Sequence, residues 1–212
     1  MKQVTRFSIN CHSSIRCDGD TVLWFDPYRV TTAPQDGDVI FITHSHSDHL
    51  SPDDIRRVMK PDAVIVLPKS CRQTALDAGF AAAQLMLVSP AEKHEVRGVS
   101  FETVPAYNLG KKFHPRANDW VGYLVALDGL RFYVAGDTDN TPEARAVRCD
   151  VAFLPVGGTY TMTAPEAAAL AACICPQTAI PTHYGCIVGS KGDGDVFAAD
   201  LPSNITCIKM IP

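Results

Sequence analysis

Features that mark several classes of protein are missing from this chain of 212 residues. No apolar run reaches the roughly 18 residues that a membrane-spanning helix requires. The N-terminal residues lack the apolar segment of a secretory signal peptide. We therefore expect a cytoplasmic protein that has no membrane partner.

An excess of positive charge is absent as well. Lys and Arg number 19 against 23 Asp and Glu, and the formal net charge is −4. A broad nucleic-acid-binding face needs clustered Lys and Arg. The charge therefore argues against a nucleic-acid partner, and it leaves a small-molecule substrate and a homo-oligomer open.

The chain has eight cysteines, but no two of them form a C-x-x-C pair, which argues against a zinc ribbon. In a cytoplasmic protein they should be thiols. Most should behave as small buried apolar residues. Cys11 and Cys186 are set apart because they lie near the candidate site described below.

Repeats, low-complexity tracts and linkers are also missing. Hydrophobic residues make up 46% of the chain and charged residues 20%, as in an ordinary globular protein. The length suits one substantial core and is marginal for two. We therefore predict one domain that spans residues 1–212.

Short strand patterns alternate with helix starts along the chain. Residues 39–43 and 63–67 are nearly all apolar, as is typical of strands that are covered on both faces. Asp128-Gly129 separates two alternating runs and predicts a hairpin turn. Residues 4–10 alternate and predict an N-terminal strand. Strands followed by strand–helix alternation predict a two-sheet core with helices outside.

Helix starts are marked by capping residues. Ser51 with Pro52 and two acidic residues predicts a helix from 51 to about 59, with Ser51 as the N-cap. Thr163 and Glu166 have the spacing of a capping box and predict a helix to about residue 173.

Three of the seven histidines fall within six residues, in the segment Thr-His-Ser-His-Ser-Asp-His-Leu at 43–50. The segment lies between a buried strand and the helix from Ser51, so rigid elements hold both of its ends. Alternate residues of an extended segment point to the same side, so His44, His46 and Asp48 should converge. Imidazole and carboxylate together suit zinc, and also manganese or iron. The alternative is a solvated polar loop.

The segment His44-Ser-His46-Ser-Asp48-His49 resembles the H-x-H-x-D-H signature of the metallo-β-lactamase superfamily. Later and earlier landmarks occur in the order that the family has, and the resemblance covers nearly the whole chain: Cys11-His12-Ser13-Ser14, Asp26-Pro27-Tyr28, Gly136-Asp137-Thr138 and Pro181-Thr182-His183-Tyr184-Gly185. The chain is most similar to small members near the ascorbate-phosphate lactonase branch. This implies an α+β fold, a four-layer αββα sandwich with metals at one edge of both sheets.

The resemblance also implies roles for individual residues. His44 and His46 would bind a first metal, Asp48, His49 and His183 a second, and Asp137 would bridge both. One or two divalent ions are expected, with zinc favoured and manganese or iron as alternatives. Two close cations lower the pKa of a water molecule, which makes hydroxide available near neutral pH. Asp48 would also orient or deprotonate that water, so Asp48 and Asp137 are the predicted catalytic residues.

One position departs from the family pattern. Asn108 stands where a further first-site histidine is expected. An amide oxygen is a weaker and harder ligand than imidazole. Three outcomes are open: Asn108 binds through its oxygen, His114 replaces the missing histidine, or the first site is weak or empty.

Several residues around these motifs, Asn108 among them, are candidates for substrate contacts. Lys112 and Arg116, in a basic segment with Lys111, would clamp a phosphate or carboxylate; the alternative is a solvated loop. Tyr160 follows two glycines and is a candidate to line the site. His12 is a candidate to contact substrate or to support a metal ligand. The loop at 189–194 is a candidate lid.

These observations predict a metal-dependent hydrolase. Metal-bound hydroxide would attack an ester, lactone or phosphoester bond of a small anionic substrate. One alternative is a nuclease or phosphodiesterase-type metallohydrolase. Another is a non-catalytic metal- or metabolite-binding protein on the same scaffold.

Overall fold

The structure is a computed structural model that describes residues 4–211. Residues 1–3 and 212, which the predicted single domain includes, lie outside the described residues. The described chain forms two mixed β-sheets and five α-helices. None of these helices has both the length and the apolar character that crossing a membrane requires.

The first sheet is built from the N-terminal part of the chain. Its strands lie side by side in chain order: β1 (Phe7–Ile9), β2 (Ile15–Cys17), β3 (Leu23–Phe25), β4 (Gly37–Phe41), β5 (Met59–Pro68) and β6 (Leu85–Val88). The first three strands are antiparallel, and β3 to β6 are parallel.

The second sheet repeats this mixture. Its strands also follow chain order: β7 (Lys93–Val96), β8 (Val99–Pro105), β9 (Val121–Leu127), β10 (Leu130–Val134), β11 (Val151–Pro155), β12 (Thr178–Thr182) and β13 (Thr206–Cys207). β7 to β10 are antiparallel, and β10 to β13 are parallel. Leu127 pairs with Leu130, so Asp128-Gly129 forms the predicted hairpin turn.

The helices cover the outer faces of the two sheets. They are α1 (Pro52–Val58), α2 (Arg72–Asp77), α3 (Pro142–Arg145), α4 (Ala164–Ile174) and α5 (Asp193–Asp200). Three apolar clusters separate the resulting four layers. In β4, Val39 and Phe41 point between the sheets, whereas Ile40 packs on the helix side. The predicted αββα sandwich is therefore confirmed.

The structure confirms some of the helix and strand boundaries predicted from local sequence and contradicts others. The Thr163–Glu166 capping box forms, and α4 follows it. α1 begins after Ser51 as predicted, but the Ser51 hydroxyl donates to Asp54 instead of capping the helix. The predicted strand at 4–10 begins only at Phe7, because its partner strand β2 ends at Cys17, opposite Phe7. Val4–Arg6 form a short 3-10 turn.

The segments that carry the candidate site leave the sheets at one edge. His44 follows β4, Asp137 follows β10 and His183 follows β12, each near the carboxyl end of a strand that has a parallel neighbour. The Thr43 carbonyl accepts a hydrogen bond from Val121 N at 3.2 Å, which joins the two sheets at this edge. The polar residues of separate sheets are thereby brought to one place.

Candidate metal centre

Two groups of metal-ligating side chains lie next to each other at this edge. The first ligand group comprises His44, His46, His114 and Asp137, and the second ligand group comprises His12, Asp48, His49 and His183. Within each group the ligand atoms all lie within 4.8 Å of one another. All of these residues except His46 and Asp48 are buried.

The first ligand group is organised around three imidazoles. His44 Nε2 lies 3.0 Å from His46 Nδ1. His114 Nε2 lies 3.2 Å from Asp137 Oδ2, and His44 Nε2 lies 3.9 Å from the same oxygen. The Trp120 ring packs against all three imidazoles, with centroid distances of 4.7 to 5.4 Å. Of the three outcomes left open by the sequence, the structure brings His114 into the group.

Asn108 holds His114 in position through its amide nitrogen, and its Oδ1 is buried without a hydrogen-bond partner. Its Nδ2 donates to the carbonyls of Phe113 at 3.0 Å and Tyr160 at 2.6 Å. Its backbone N–H donates to the His114 carbonyl at 2.9 Å. His114 itself has φ of 55°, in the left-handed region, so the hydrogen bonds of Asn108 maintain a turn that is otherwise unfavourable.

The second ligand group surrounds Asp48. The Oδ2 atom of Asp48 lies 3.2 Å from His12 Nε2, 3.6 Å from His49 Nε2 and 3.9 Å from His183 Nε2. The His12 and His183 rings lie close together at a tilt of 41°, with centroids 3.7 Å apart. His183 N also donates to the His12 carbonyl at 3.1 Å, which fixes the two turns to each other.

Asp137 faces both groups. Its Oδ2 lies 3.2 Å from His114 Nε2 and 3.1 Å from His183 Nε2, and its Oδ1 lies 3.4 Å from His49 Nε2. The side chain is only 3% exposed. It therefore occupies the position from which a carboxylate contacts ligands of both groups.

His12 is the member of these groups that sequence reasoning did not predict as a ligand. The sequence suggested a substrate contact or a supporting residue, whereas the structure places His12 Nε2 among the ligand atoms of the second ligand group. It follows β1 in a tight turn, with φ of 58°. Its place at the end of a strand, before Ser13-Ser14, was the available signal.

Several buried polar atoms of the two groups lack hydrogen-bond partners within the described chain. The atoms without a hydrogen-bond partner include His12 Nδ1 and Nε2, His49 Nε2, His114 Nε2, Asp137 Oδ1, and His183 Nδ1 and Nε2. Buried polar groups in folded proteins are almost always satisfied. Imidazole nitrogens and carboxylate oxygens that face one another are the donor set of divalent transition metals. The residues present therefore fit metal ions.

The carboxylates of the centre are held in the ionised form that binds metal. Burial alone would raise the pKa of Asp137, but the charges of His183 and His49 outweigh it and hold that pKa well below its usual range. Burial likewise opposes ionisation of Asp48, while its close contact with His12 and the charge of His49 hold its pKa below the usual range.

Three of the imidazoles are held neutral by burial. Burial lowers the pKa of His12 to about 4, although its contact with Asp48 acts in the opposite direction. Burial, assisted by neighbouring imidazoles, also lowers the pKa of His44 and of His46. The pKa of His49 moves the other way. Burial would lower its pKa, but the charges of Asp137 and Asp26 raise it to about 9.

Asp26 is a supporting carboxylate beneath the centre. It is fully buried, and its Oδ2 lies 2.7 Å from His49 Nδ1. Its two oxygens also accept from Thr43 N at 2.8 Å and from the Thr43 hydroxyl at 2.7 Å. A carboxylate on the far nitrogen of a metal-binding imidazole fixes the ring and its tautomer. Asp26 belongs to the Asp26-Pro27-Tyr28 motif, but this role was not predicted from the sequence.

A cavity of about 460 Å³ opens above the two groups. Much of its lining is apolar and includes Phe113, Tyr160, Ile187 and Val188. The Phe113 and Tyr160 rings meet edge to face at 4.7 Å. Arg29 is the one Lys or Arg among the lining residues. The cavity offers one cation and apolar surfaces to a small molecule.

Of the substrate contacts predicted from sequence, the structure brings only Tyr160 to this cavity. Arg116 donates to Glu143 at 2.7 Å and to the Tyr107 hydroxyl at 3.2 Å, outside the cavity. Lys112 is exposed and does not line the cavity. Neighbouring acids take up the charges of the basic segment, since Lys111 likewise pairs with Asp139.

Known proteins share both this sequence pattern and this fold. A metal-dependent hydrolase of Methanosphaerula palustris is 28% identical over 198 residues, which cover 88% of this chain and 86% of the relative. The crystal structure of a protein described as a metal-dependent hydrolase from Parabacteroides distasonis is 30% identical, covers 97% of this chain and 93% of its own, and has a TM-score of 0.79. Igni18, a metallo hydrolase of Ignicoccus hospitalis, has the same fold at 22% identity, with a TM-score of 0.76 and coverage of 97% and 94%.

A family model places the chain more directly. The model described as the beta-lactamase superfamily domain matches residues 3–183. These comparisons do not bear on the ascorbate-phosphate lactonase-like branch, which stays a prediction. Because the match spans far more than half of the sequence, this chain belongs to the metallo-β-lactamase superfamily that its motifs predicted.

Proposed function

We propose that this protein hydrolyses an ester, lactone or phosphoester bond of a small anionic substrate, with divalent metal ions as cofactors. Similar proteins from Methanosphaerula palustris and Parabacteroides distasonis are described as metal-dependent hydrolases. The observation that carries the proposal is the set of buried imidazole and carboxylate atoms that face one another without partners.

Each ligand group would hold one ion. His44, His46 and His114 would bind the first, and His12, Asp48, His49 and His183 the second, with Asp137 contacting both. When bound, such ions acidify a water molecule and polarise the substrate oxygen. Three imidazoles and a carboxylate in the first ligand group favour zinc, with manganese or iron as alternatives.

The two aspartates act differently. Asp48 lines the cavity and is 19% exposed, and its pKa is held low, so its carboxylate is ionised and can orient water in the cavity by accepting a hydrogen bond from it. Asp137 is buried and contacts imidazoles of both groups, so it keeps their separation fixed. These contacts support Asp48 and Asp137 as the catalytic residues.

The cavity supports a substrate that has one anionic group and an apolar part. Arg29 offers a cation at the mouth, stacked over the Tyr28 ring at 5.3 Å. Phe113 and Ile187, which are 42% and 47% exposed, offer apolar contact. A nucleic-acid backbone binds through several phosphate contacts. One lining cation is a poor match for such a backbone. A nuclease is therefore the second candidate function.

The test combines metal content with a substrate panel. Protein prepared without added metal should contain about two divalent ions per chain, as in two-metal hydrolases. It should turn over p-nitrophenyl phosphodiesters, esters or lactones, lose that activity with EDTA, and regain it with zinc or manganese. Bound metal without turnover across the panel would favour the non-catalytic metal- or metabolite-binding alternative. Absence of bound metal would end the proposal.

A further inference from the structure

Two cysteine side chains lie against each other beside the second ligand group. The Sγ atoms of Cys11 and Cys186 are 2.8 Å apart, although the residues are 175 positions apart in sequence. This is closer than non-bonded sulfur atoms normally lie, and a disulfide bond measures about 2.05 Å. Both side chains are half-buried, so small reagents reach them. The fold has therefore already brought the two sulfurs together.

The pair connects two turns that both carry ligand histidines. Cys11 directly precedes His12 in the turn between β1 and β2. Cys186 lies three residues after His183 and directly before Ile187 and Val188, which line the cavity. A covalent bond between the sulfurs would therefore fix this part of the cavity lining to the turn that holds His12.

The surroundings of Cys186 suit a reactive sulfur. Arg29 Nη1 donates to Cys186 Sγ at 3.1 Å, and Arg29 itself is exposed at the cavity mouth. Thiol–disulfide exchange requires access to the attacking sulfur, and Cys186 is only half-buried. Cys173 and Cys175, near the end of α4, are exposed but have no second cysteine sulfur in contact within the described chain.

We propose that Cys11 and Cys186 are a modification site that forms a reversible intramolecular disulfide with a small disulfide oxidant such as oxidised glutathione. The Cys186 thiolate attacks one glutathione sulfur, which forms a mixed disulfide and releases one glutathione thiolate. The Cys11 sulfur then attacks Cys186 and displaces the second. The two protein thiols lose two electrons and two protons, which reduce one oxidised glutathione to two glutathione molecules.

The first measurement is made on the full chain without any activity assay. The purified protein is incubated with oxidised glutathione, free thiols are alkylated, and the digest is analysed by mass spectrometry. We expect one cross-linked peptide pair that contains Cys11 and Cys186, is two hydrogens lighter than the separate peptides, and disappears with dithiothreitol. Glutathione on Cys173 and Cys175 alone, with Cys11 and Cys186 fully alkylated, would overturn the proposal.

Thermal unfolding supplies a second readout with matched variants. A bond that closes so long a loop should raise Tm by on the order of 10 °C in the oxidised protein. Cys173→Ser should keep this difference between oxidised and reduced protein, whereas Cys11→Ser should lose it. An equal difference in Cys11→Ser would overturn the assignment. Since neither readout uses turnover, failure here leaves the proposed hydrolase function untouched.

Discussion

The two ligand groups are built in different ways, although they share one edge of the fold. The second ligand group comes from turns that directly follow strands β1, β4 and β12, and Asp26 supports it from beneath. The first ligand group takes its third imidazole, His114, from the loop at 106–120, fifteen residues between β8 and β9 whose only helical part is a 3-10 turn at Arg116–Asn118. One group is therefore set by the sheets, and the other depends on hydrogen bonds within a loop.

The largest effect is expected from the removal of Asp137, the residue that contacts both ligand groups. Asp137→Ala should lower metal content and reduce turnover by about 10³-fold or more, since several kcal/mol of charge stabilisation disappear. The fold should persist, because the sheets do not depend on this side chain. Elemental analysis, kinetics and circular dichroism measure the three effects, with Asp128→Ala at an exposed hairpin as control. Full activity in Asp137→Ala would show that the bridging role is wrong.

Removing one histidine from each group tests whether each group binds its own metal ion. His114→Ala and His12→Ala should each reduce metal content from about two ions per chain to about one. His94→Ala is the control, because His94 lies on the sheet surface, where it pairs with Glu92. Elemental analysis reports all three. If His12→Ala retained both ions, His12 would be a supporting residue and not a ligand.

Asn108→Ala tests the dependence of the first ligand group on its loop. Without the bonds from Asn108 Nδ2 to the carbonyls of Phe113 and Tyr160, His114 loses its fixed orientation. We expect first-site metal affinity to fall about 10- to 100-fold, as for other residues that orient a ligand. Competition with a chromophoric chelator measures it. An equal loss in second-site affinity would contradict the separation of the groups.

An arginine that lines the cavity can be compared with one that lies outside it. Arg29→Ala should raise KM for anionic substrates about tenfold, with kcat nearly unchanged, because it removes binding that is equal in ground and transition states. Arg116→Ala, which removes a cation paired with Glu143 outside the cavity, should leave KM unchanged. Steady-state kinetics with charged and neutral esters measure KM and kcat for both variants. A loss confined to kcat would assign Arg29 to the chemical step instead.

The smallest expected effect is a pH dependence in metal-free protein. The pKa of His49 is raised from 6.5 to about 9, so its protonated form adds stability that is present below pH 6.5 and is lost as the pH rises through 9. The pKa of His12 is lowered to about 4, so its burial costs stability as the pH falls from 6.5 through 4. Tm should therefore fall on the alkaline side because of His49.

Asp26→Asn isolates the His49 contribution, since Asp26 is one of the two carboxylates that raise that pKa. The alkaline fall in Tm should become shallower in this variant, and Asp62→Asn, at a surface ion pair, should leave it unchanged. Zinc should abolish the fall, because a bound imidazole is neutral. Identical alkaline profiles for wild type and Asp26→Asn would contradict the prediction.

The sequence was most informative where local pattern and function coincide. The Asp128-Gly129 turn and the capping box at Thr163 predicted their elements, and the H-x-H-x-D-H segment predicted which strand end carries the site. The membership of His12 and the supporting role of Asp26 could not be predicted, because they depend on contacts across 23 to 171 positions.

Two of the predicted substrate contacts lie outside the cavity, for a different reason. Lys112 and Arg116 are close to Asn108 in sequence, but whether a basic side chain faces a cavity depends on which acids lie nearby. Here Glu143, on a helix from another part of the chain, pairs with Arg116. The single domain over 1–212, the cytoplasmic location and a homo-oligomer stay predictions.

The loop at 106–120 is closed at its base. Ala106 N donates to the Trp120 carbonyl at 2.9 Å, and the next pair, Pro105 and Val121, is already in register within the sheet. Residues can therefore be added to or removed from the middle of this loop without shifting β8 against β9. Such insertions and deletions can therefore change which residue of the loop serves as the third imidazole of the first ligand group. The two strands that flank the loop keep their register.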